Sequence, residues 1–484
     1  MSGFGYNVLG FGANAAGGGA DLPSDDEFNR VSFLSHFDGA NNGVNNAFDD
    51  GSANNYTVTA AGNVTQGSFG PFARPDGEFG VDFDGVNDSF LQANDGVTFG
   101  NGAFTIEFFV YLRNLGATKF FDARPDGSNA HPVIQMRAAN QLIYYYNGDK
   151  ITDSQTLSTH TWYHVAVCRS GTSTKMFLDG TQVGSTYSDS TNYSDSGLMR
   201  IGAAANGTSS VDGIISNLRV VNSALYTSNF TAPTGKLTAV TNTKLLSCQS
   251  NRFVDNSADG LTMTLSGNAA VTAFGPFLTS AVYDPAVNGA SAYMDGSGDT
   301  LRATWTAADI INQNFTLEYW LYYTQTSGSG DVTIGDTPGS NYIHLSYSSG
   351  GDVWSDDGTH SGSGPYVSGA IKGNCWNHLA LVRSGTSLYI YANGAKIGTK
   401  DNITTSYFSG QSDEFGIGYI ANPLEGYICD ARIVTSAVYT GDTYTVPTAP
   451  LTAITNTKLL LNMADGQAID SAAQNNLTLF GTAK

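Results

Sequence analysis

WYHVAVCRSGTS occupies residues 162–173, and WNHLALVRSGTS occupies residues 376–387. Each is a mainly apolar run that ends in a Ser-Gly-Thr-Ser turn, which is typical of a strand followed by a tight turn. A second run follows each one and ends at Asp-Gly (179–180) in the first case and at Asn-Gly (393–394) in the second. These dipeptides favour two-residue hairpin turns because both positions tolerate a positive φ angle. The stretch therefore predicts an antiparallel β-hairpin that occurs twice.

The repeat extends well beyond this hairpin. FTIEFFVY at 104–111 matches FTLEYWLY at 315–322, and DGIISNLRVVNSALYT at 212–227 matches EGYICDARIVTSAVYT at 425–440. The offset between the copies changes only between these blocks, where Gly, Ser and Asp collect. Strands held by packing keep their length, whereas surface loops are free to change. The sequence predicts an all-β protein with two tandem antiparallel β-sandwiches.

A short motif sets the predicted boundaries. TNTKLL stands at 241–246 and again at 455–460. It is interpreted as the linker and first strand of a unit, so the second copy opens a third unit. The predicted domains are an N-terminal Gly/aromatic arm (1–30), sandwich 1 (31–243), sandwich 2 (244–454) and a partial third repeat, a hairpin (455–484). This last hairpin is expected to pack on sandwich 2 or to add to a neighbouring subunit's sheet.

Composition excludes several partner classes. Lys and Arg number 22 against 42 Asp and Glu, for a net charge of −20, so a nucleic acid partner is not expected. No basic segment followed by an apolar core opens the chain, and no apolar run is long enough for a membrane span. The cysteines show neither metal-ligand nor disulfide-scaffold spacing, and we expect reduced thiols. They are Cys168, Cys248, Cys375 and Cys429.

The motif order resembles a known family. In the second copy YMDGSGDTL (293–301) precedes FTLEYWLY, the 376–387 hairpin and the 425–440 block, and the first copy has the same series. This order resembles the laminin-G-like, concanavalin A-like jelly-roll domain, in the version found in structural proteins of marine tailed phages. The resemblance implies concanavalin A-like jelly rolls. It further implies a virion protein of the tail, fibre or capsid decoration, assembled in the host cytoplasm and present as a homo-oligomer or in multiple copies.

The same fold carries several functions. Adhesion to host surface glycans is the leading hypothesis; a free carbohydrate-binding or adhesion protein and a purely structural decoration without ligand are the alternatives. A glycosidase would need paired carboxylates, which the related pattern Glu-x-Asp-x-x-Glu supplies. None of the six glutamates has an acidic residue two positions away within a strand block. We therefore expect no enzyme, and a structural role for the equivalent residues Glu107 and Glu318.

Aromatic side chains give the candidate carbohydrate site. Tyr144 and Tyr146 share one face of a predicted strand, and Trp354 lies at the corresponding place in the second copy. Exposed aromatic rings stack on sugar faces, so these three are the predicted binding residues. Edge packing within a large sandwich is the competing interpretation. His164, in a repeated Trp-x-His, is predicted to be a packed or hydrogen-bonded strand residue.

Two further predictions concern metal and anchoring. The resemblance leaves a Ca²⁺ ion at a loop rim open, with Asp-rich loops at 37–52 and 354–360, but the metal ligands stay unknown. The N-terminal arm is a flexible Gly/Ala spacer with two aromatic-glycine clusters. Its apolar residues are predicted to dock into other virion proteins; they are Phe4, Tyr6, Leu9 and Phe11.

Overall fold

A computed structural model gives the fold. It describes residues 58–61, 65–67, 74, 77–86, 90–93, 98–125, 131–193, 199–273, 276, 285–297, 299–304, 313–335, 342–355, 364–403, 414–418 and 422–463. The predicted arm at 1–30 lies outside these residues, and so do its anchor residues Phe4, Tyr6, Leu9 and Phe11. Of the predicted hairpin at 455–484, residues 464–484 also lie outside them.

Thirty strands and one short helix are described. The first third of the chain holds β1 (Val58–Ala61), β2 (Thr65–Gly67), β3 (Gly80–Asp84), β4 (Phe90–Ala93), β5 (Phe104–Leu112), β6 (Thr118–Asp122), β7 (Val133–Met136), β8 (Leu142–Tyr145), β9 (Asp149–Thr152) and β10 (Trp162–Ser170). The middle holds β11 (Ser173–Leu178), β12 (Thr181–Ser188), β13 (Met199–Ile201), β14 (Asp212–Val221), β15 (Thr243–Ser247), β16 (Met263–Ser266), β17 (Ala270–Thr272), α1 (Pro285–Asn288), β18 (Ser291–Asp295), β19 (Thr300–Thr304) and β20 (Phe315–Tyr323). The last part holds β21 (Ser329–Gly335), β22 (Tyr342–Ser348), β23 (Val353–Trp354), β24 (Tyr366–Val367), β25 (Asn377–Ser384), β26 (Ser387–Ala392), β27 (Ala395–Lys400), β28 (Glu414–Ile417), β29 (Glu425–Val434) and β30 (Thr457–Leu461).

The strands form four antiparallel sheets. Large sheet 1 has the order β12-β11-β10-β5-β14-β3-β17, with β15 also on β14, and small sheet 1 has the order β16-β4-β13-β6-β7-β8-β9. Large sheet 2 runs β27-β26-β25-β20-β29-β18-β2, with β30 on β29. Small sheet 2 runs β1-β19-β28-β21-β22-β23-β24. Each large sheet packs on its small sheet, which confirms the two predicted tandem sandwiches.

The two-residue side-chain period builds each core. In β5, Phe104, Ile106, Phe108 and Val110 are fully buried in the core of sandwich 1. The corresponding positions of β20 point into the core of sandwich 2. Both predicted hairpin turns are present, because Asp179 and Asn393 each have a φ of 49° and the glycine that follows has a positive φ as well. A side chain on Gly180 would also meet the Phe230 carbonyl oxygen at 2.1 Å.

Two hairpins, β1–β2 and β16–β17, lie in a different sandwich from the one predicted. We call them the opening hairpins. β15, β16 and β17 belong to sandwich 1, where β16 pairs with β4 and β17 pairs with β3. In turn β1 pairs with β19 and β2 with β18, both in sandwich 2. Strands β3 to β17 therefore belong to sandwich 1, and the strands from β18 onwards belong to sandwich 2. The boundary between the two lies after residue 272 and not at the predicted position 243/244. TNTKLL is the last large-sheet strand of the preceding sandwich and not the first strand of the next one.

The segment that leads to β17 also contacts sandwich 2. The Tyr322 hydroxyl donates to the Val271 carbonyl oxygen at 3.3 Å, and the Val271 amide donates to the Asn374 carbonyl oxygen at 2.8 Å. The Trp376 amide donates to the Asn251 carbonyl oxygen at 3.0 Å. The segment around β17 thus contacts the outer side of large sheet 2 through backbone as well as side chains.

The four cysteines lie in the interior of the protein. All four are free and buried, and burial raises the pKa of Cys248 to about 12 and that of Cys375 to about 11. In the described part of the chain the helix has four residues, too few to cross a membrane.

Candidate functional site

The equivalent glutamates of the two copies lie inside the large sheets. Glu107 in β5 is fully buried. Its Oε1 accepts hydrogen bonds from Arg219 Nε (2.9 Å) and Nη2 (2.7 Å), and its Oε2 accepts from the Tyr226 hydroxyl at 2.9 Å and lies 3.1 Å from His164 Nε2. Both carboxylate oxygens are therefore saturated by protein groups. The predicted structural role of Glu107 and the predicted hydrogen-bonded state of His164 are confirmed.

Glu318 repeats this arrangement in β20. It accepts from Arg432 Nε at 2.9 Å and Nη2 at 2.6 Å, and from the Tyr439 hydroxyl at 2.6 Å. His378 Nε2 lies 3.4 Å from the same carboxylate. Burial alone would raise the pKa of Glu318, but the His378 contact and the Arg432 charge together lower it below its usual value. Both carboxylates are held ionised inside the fold.

Tyr144 is not available to a ligand. Its side chain is fully buried in the core of sandwich 1, and its hydroxyl lies 2.9 Å from that of Tyr193, which donates to Asp189 Oδ2 at 2.7 Å. Burial raises the pKa of Tyr144 well above its usual value. The prediction that Tyr144 stacks on sugar is therefore wrong, because its face of β8 points inward.

Tyr146 follows β8 at the rim of sandwich 1. It is half-buried and meets the Tyr193 ring edge-on, with ring centroids 5.1 Å apart and an interplanar angle of 88°. Lys150 Nζ lies 6.0 Å from the centroid of the Tyr146 ring. Neighbouring side chains cover much of the Tyr146 ring, which matches the competing interpretation of edge packing.

Trp354 lies on the outer face of small sheet 2. Its neighbour Val353 points into the core, so Trp354 points the opposite way. Its partner across β24 is Tyr366, with ring centroids 6.3 Å apart and an interplanar angle of 33°. Tyr366 is 62% exposed, and it is the only aromatic among the most exposed large apolar side chains of the described residues. The two rings form an aromatic pair, and sequence inspection had identified only one of its members.

On the strands next to the aromatic pair, the residues in register with Trp354 carry buried polar atoms. Trp354 is paired with Ser346 in β22, and Ser346 is paired with Asp331 in β21. Ser346 Oγ and Asp331 Oδ1 are buried and have no hydrogen-bond partner, while Asp331 Oδ2 accepts from Asn422 Nδ2 at 2.7 Å. Residues paired across neighbouring strands project from the same face. The outer face therefore has aromatic surface next to two polar atoms that are buried and lack a hydrogen-bond partner.

The rim of this face is fixed by Asp352. Its Oδ1 accepts from Ser368 Oγ at 2.8 Å and from the Gly369 amide at 3.0 Å, and these hydrogen bonds lower the pKa of Asp352. The contacts join the segment before Trp354 to the residues after β24. They hold the two strands that carry the aromatic pair in register.

The outer face of small sheet 1 is different, because it carries four cations. Arg124 and Arg137 lie 6.0 and 5.8 Å from the ring centroid of Tyr145. Lys119 donates to Gln135 on the neighbouring strand, and Arg200 lies 5.3 Å from the Phe90 ring centroid. Two carboxylates lie among them: Asp122 pairs with Arg124, and Asp149 pairs with Arg137. We call Lys119, Arg124, Arg137 and Arg200 the cationic cluster.

The cationic cluster has a positive local field. Burial lowers the pKa of Lys119, the charges of Arg124 and Arg137 lower it further, and those of Asp122 and Asp149 oppose the shift. Burial also lowers the pKa of Arg200, whose Nε and Nη1 atoms are buried without a hydrogen-bond partner. A bound anion would raise the pKa of both Lys119 and Arg200 and so oppose these shifts. This net positive face stands in contrast to a chain whose net charge is −20.

The described residues contain no group of three or more His, Cys, Asp or Glu side chains placed to hold a metal ion. The Asp-rich loop at 37–52 and residues 356–360 of the second loop lie outside the described residues. A calcium site stays a prediction from the resemblance.

Comparison with known families gives the classification. The profile of the concanavalin A-like lectin/glucanases superfamily, Laminin_G_3, matches residues 84–229 and 295–440. The chain belongs to this superfamily. In this concanavalin A-like protein the two matched segments cover more than half of the chain, one in each sandwich. The hairpins β1–β2 and β16–β17 lie outside both segments.

Several solved structures are similar to the chain at low identity. Domains LG4-5 of the mouse laminin α1 chain are 11% identical, with a TM-score of 0.28 and coverage of 77% of this chain and 94% of that one. The SAP-like pentraxin of Limulus polyphemus is 18% identical (TM-score 0.30; 40% and 96% covered). The CBM40 domain of a Ruminococcus gnavus sialidase, bound to α2,3 sialyllactose, is 18% identical (TM-score 0.23; 27% and 80% covered). No curated protein matches the chain.

Proposed function

We propose that this concanavalin A-like protein is a carbohydrate-binding adhesion protein whose main sugar platform is the Trp354–Tyr366 pair. The observation that carries the proposal is an aromatic pair, with Tyr366 exposed and Trp354 half-buried, beside buried polar atoms that have no partner. A sugar ring has an apolar face of C–H groups, which fits an aromatic surface, and a rim of hydroxyls, which can pair with Ser346 and Asp331 once the groups that cover these buried atoms move aside. Pairing of these polar atoms removes the cost of leaving them unsatisfied.

Trp354→Ala is expected to weaken glycan binding roughly tenfold or more, because truncation of a central aromatic anchor typically costs 2 kcal/mol or more. Tyr366→Ala should weaken binding in the same direction. The measurement is a glycan array with the wild-type protein, followed by calorimetric titration of the best glycan against each variant. Tyr389→Ala, an aromatic truncation on large sheet 2 of the same sandwich, is the matched control and should bind as wild type. Wild-type affinity in Trp354→Ala would refute the platform.

The cationic cluster supports a second ligand preference, for sugars that carry carboxylate or sulfate groups. Polygalacturonate is expected to bind sandwich 1 more tightly than neutral dextran, and added salt should weaken only the former because exposed charges are screened. Arg137→Ala and Arg200→Ala should each lower the affinity for polygalacturonate about tenfold, since charged hydrogen bonds contribute about 1.5–3 kcal/mol. Lys175→Ala on large sheet 1 removes a cation elsewhere and serves as control. Equal, salt-independent binding of both polymers would contradict this preference.

The proposal is of binding without catalysis. Glu107 and Glu318, the equivalent strand glutamates, have their oxygens occupied by arginine, tyrosine and histidine, so neither carboxylate is free to transfer a proton to a substrate. Glycans recovered after long incubation with the protein are expected to be intact by mass spectrometry. Cleavage products that disappear in neither Glu107→Gln nor Glu318→Gln would point to a catalytic site elsewhere.

The proposed location is the surface of a phage particle, as tail, fibre or capsid decoration present in multiple copies. The family resemblance supports this, and the N-terminal residues Phe4, Tyr6, Leu9 and Phe11 are the proposed contacts to other virion proteins. Deletion of residues 1–20 should abolish incorporation into particles while glycan binding by the free protein persists. Normal incorporation of the truncated protein would remove the anchoring role.

A further inference from the structure

The two opening hairpins occupy equivalent edges with the same register. In sandwich 1, Leu265 of β16 is paired with Leu91 of β4; in sandwich 2, Ala60 of β1 is paired with Leu301 of β19. The second strands agree as well, since β17 lies on β3 as β2 lies on β18. The sequences correspond throughout: YTVTAAGNVTQGSFGPF at 56–72 aligns with LTMTLSGNAAVTAFGPF at 261–277. Each hairpin is therefore fitted to the same kind of acceptor edge.

The two hairpins reach their acceptors by different routes. In sandwich 1 the chain passes from β15, on β14, directly to β16, so the body of the sandwich is completed by the residues that follow it. In sandwich 2 the strand equivalent to β15 is β30, on β29, and LTLF at 477–480 follows it at the spacing at which MTLS follows β15. The edge of β19 is nevertheless paired with β1, from the beginning of the chain. Two segments of one chain therefore match a single edge.

We propose that the β18/β19 edge of sandwich 2 is an exchange interface between copies of this chain, and that its partner is the β1–β2 hairpin of a second copy. This interface is independent of the proposed function. A hairpin from another copy makes the same backbone hydrogen bonds in the same register, so exchange changes only the connection at 68–79 and the entropy of association. Donation from each copy to the next links copies in series or in a closed ring.

The experiment uses variants of the full chain that each carry one added cysteine. Thr59 and Arg302 are register partners across β1 and β19. The Cα atoms of paired residues on antiparallel strands lie about 4.5–5.5 Å apart, which is within the range that a disulfide can span. The four native cysteines are buried and free. Thr59→Cys protein is mixed with Arg302→Cys protein, concentrated, oxidised, and analysed by non-reducing electrophoresis and peptide mapping. The proposal predicts a disulfide-linked dimer that carries the 59–302 peptide pair.

The matched control is the equivalent pair in sandwich 1, Thr264→Cys mixed with Gln92→Cys, which are register partners across β16 and β4. Because β16 follows β15 within the same sandwich, this mixture should give no linked dimer. The double variant Thr59→Cys/Arg302→Cys separates the remaining outcomes. If it links only within one chain and the mixture gives no dimer, the hairpin stays with its own chain and the proposal is overturned. If neither preparation forms the 59–302 link, β1 does not occupy this edge and the proposal is overturned as well.

Discussion

Glu318→Gln is expected to lower the free energy of unfolding of sandwich 2 by about 3–5 kcal/mol, because it leaves the charge of Arg432 buried without its partner. The wild-type carboxylate accepts two hydrogen bonds from Arg432 and one from Tyr439, all within 3.0 Å. Glutamine keeps the volume but provides one acceptor oxygen and no charge. Urea denaturation followed by hydrogen exchange of the β20 and β29 amides would measure the loss in the affected sandwich alone.

The pH dependence of this effect has a definite sign. The folded-state pKa of Glu318 is lowered, so its ionised form contributes stability that is complete above the unfolded pKa near 4.5 and is lost as pH falls through the folded value. The gap between wild type and Glu318→Gln should therefore narrow in acid. Glu425→Gln, a partly exposed glutamate at the start of β29, is the control and should change stability little. An unchanged unfolding free energy in Glu318→Gln at pH 7 would contradict the structural role.

Asp430→Asn is expected to stabilise sandwich 2 by roughly 2–4 kcal/mol at pH 8 and to have little effect below about pH 4. Asp430 in β29 is fully buried, and burial raises its pKa to about 7 although Asn462 and Leu451 donate hydrogen bonds to it. Its Oδ2 has no hydrogen-bond partner. Because the folded chain holds the proton more tightly than the unfolded chain, stability falls as pH rises from about 4 to 7. Asparagine removes the charge and this dependence.

Sandwich 1 provides the matched control at the equivalent position of β14. Asn217 is buried and satisfied, since its Nδ2 donates to the Gly77 carbonyl oxygen at 2.8 Å and its Oδ1 accepts from the Leu237 amide at 2.9 Å. Asn217→Asp should therefore destabilise sandwich 1, and more so as pH rises. Thermal unfolding of both variants between pH 5 and pH 8 checks the pair. A melting temperature of Asp430→Asn that falls with pH in parallel with wild type would contradict the assignment.

The bodies of the sandwiches could be predicted from sequence because their signals are local. The alternation of Phe104, Ile106, Phe108 and Val110 defines an inward face, and the Asp-Gly and Asn-Gly pairs define turns, without knowledge of any distant residue. The superfamily followed from the order of these blocks. Each signal concerns a strand and its immediate neighbour.

The exchange of the opening hairpins could not be predicted from sequence alone. Leu265 and Ala60 reach equivalent edges, and each hairpin fits the body on either side of it. Proximity along the chain favours the following body, and that is where the prediction placed both. The choice depends on tertiary contacts such as that of Val271 with Tyr322, which a repeat in the sequence does not reveal.

The candidate site, too, could be predicted only where its signals are local in sequence. Alternation correctly placed Tyr144 on one face of β8, but it did not show that this face points inward. Trp354 was found as an aromatic in a polar loop, whereas its partner Tyr366 comes from a strand that only sheet pairing brings alongside it. The cationic cluster was missed for a similar reason, because its four residues lie on three strands and their flanks and no charge run joins them in sequence.

A structure of the protein with its best array glycan tests most directly whether sugars bind on the outer face of small sheet 2. We expect a sugar ring stacked on Trp354 and Tyr366, with a hydroxyl hydrogen-bonded to Ser346 or Asp331. A glycan bound elsewhere, with the Trp354–Tyr366 pair still open to solvent, would contradict it.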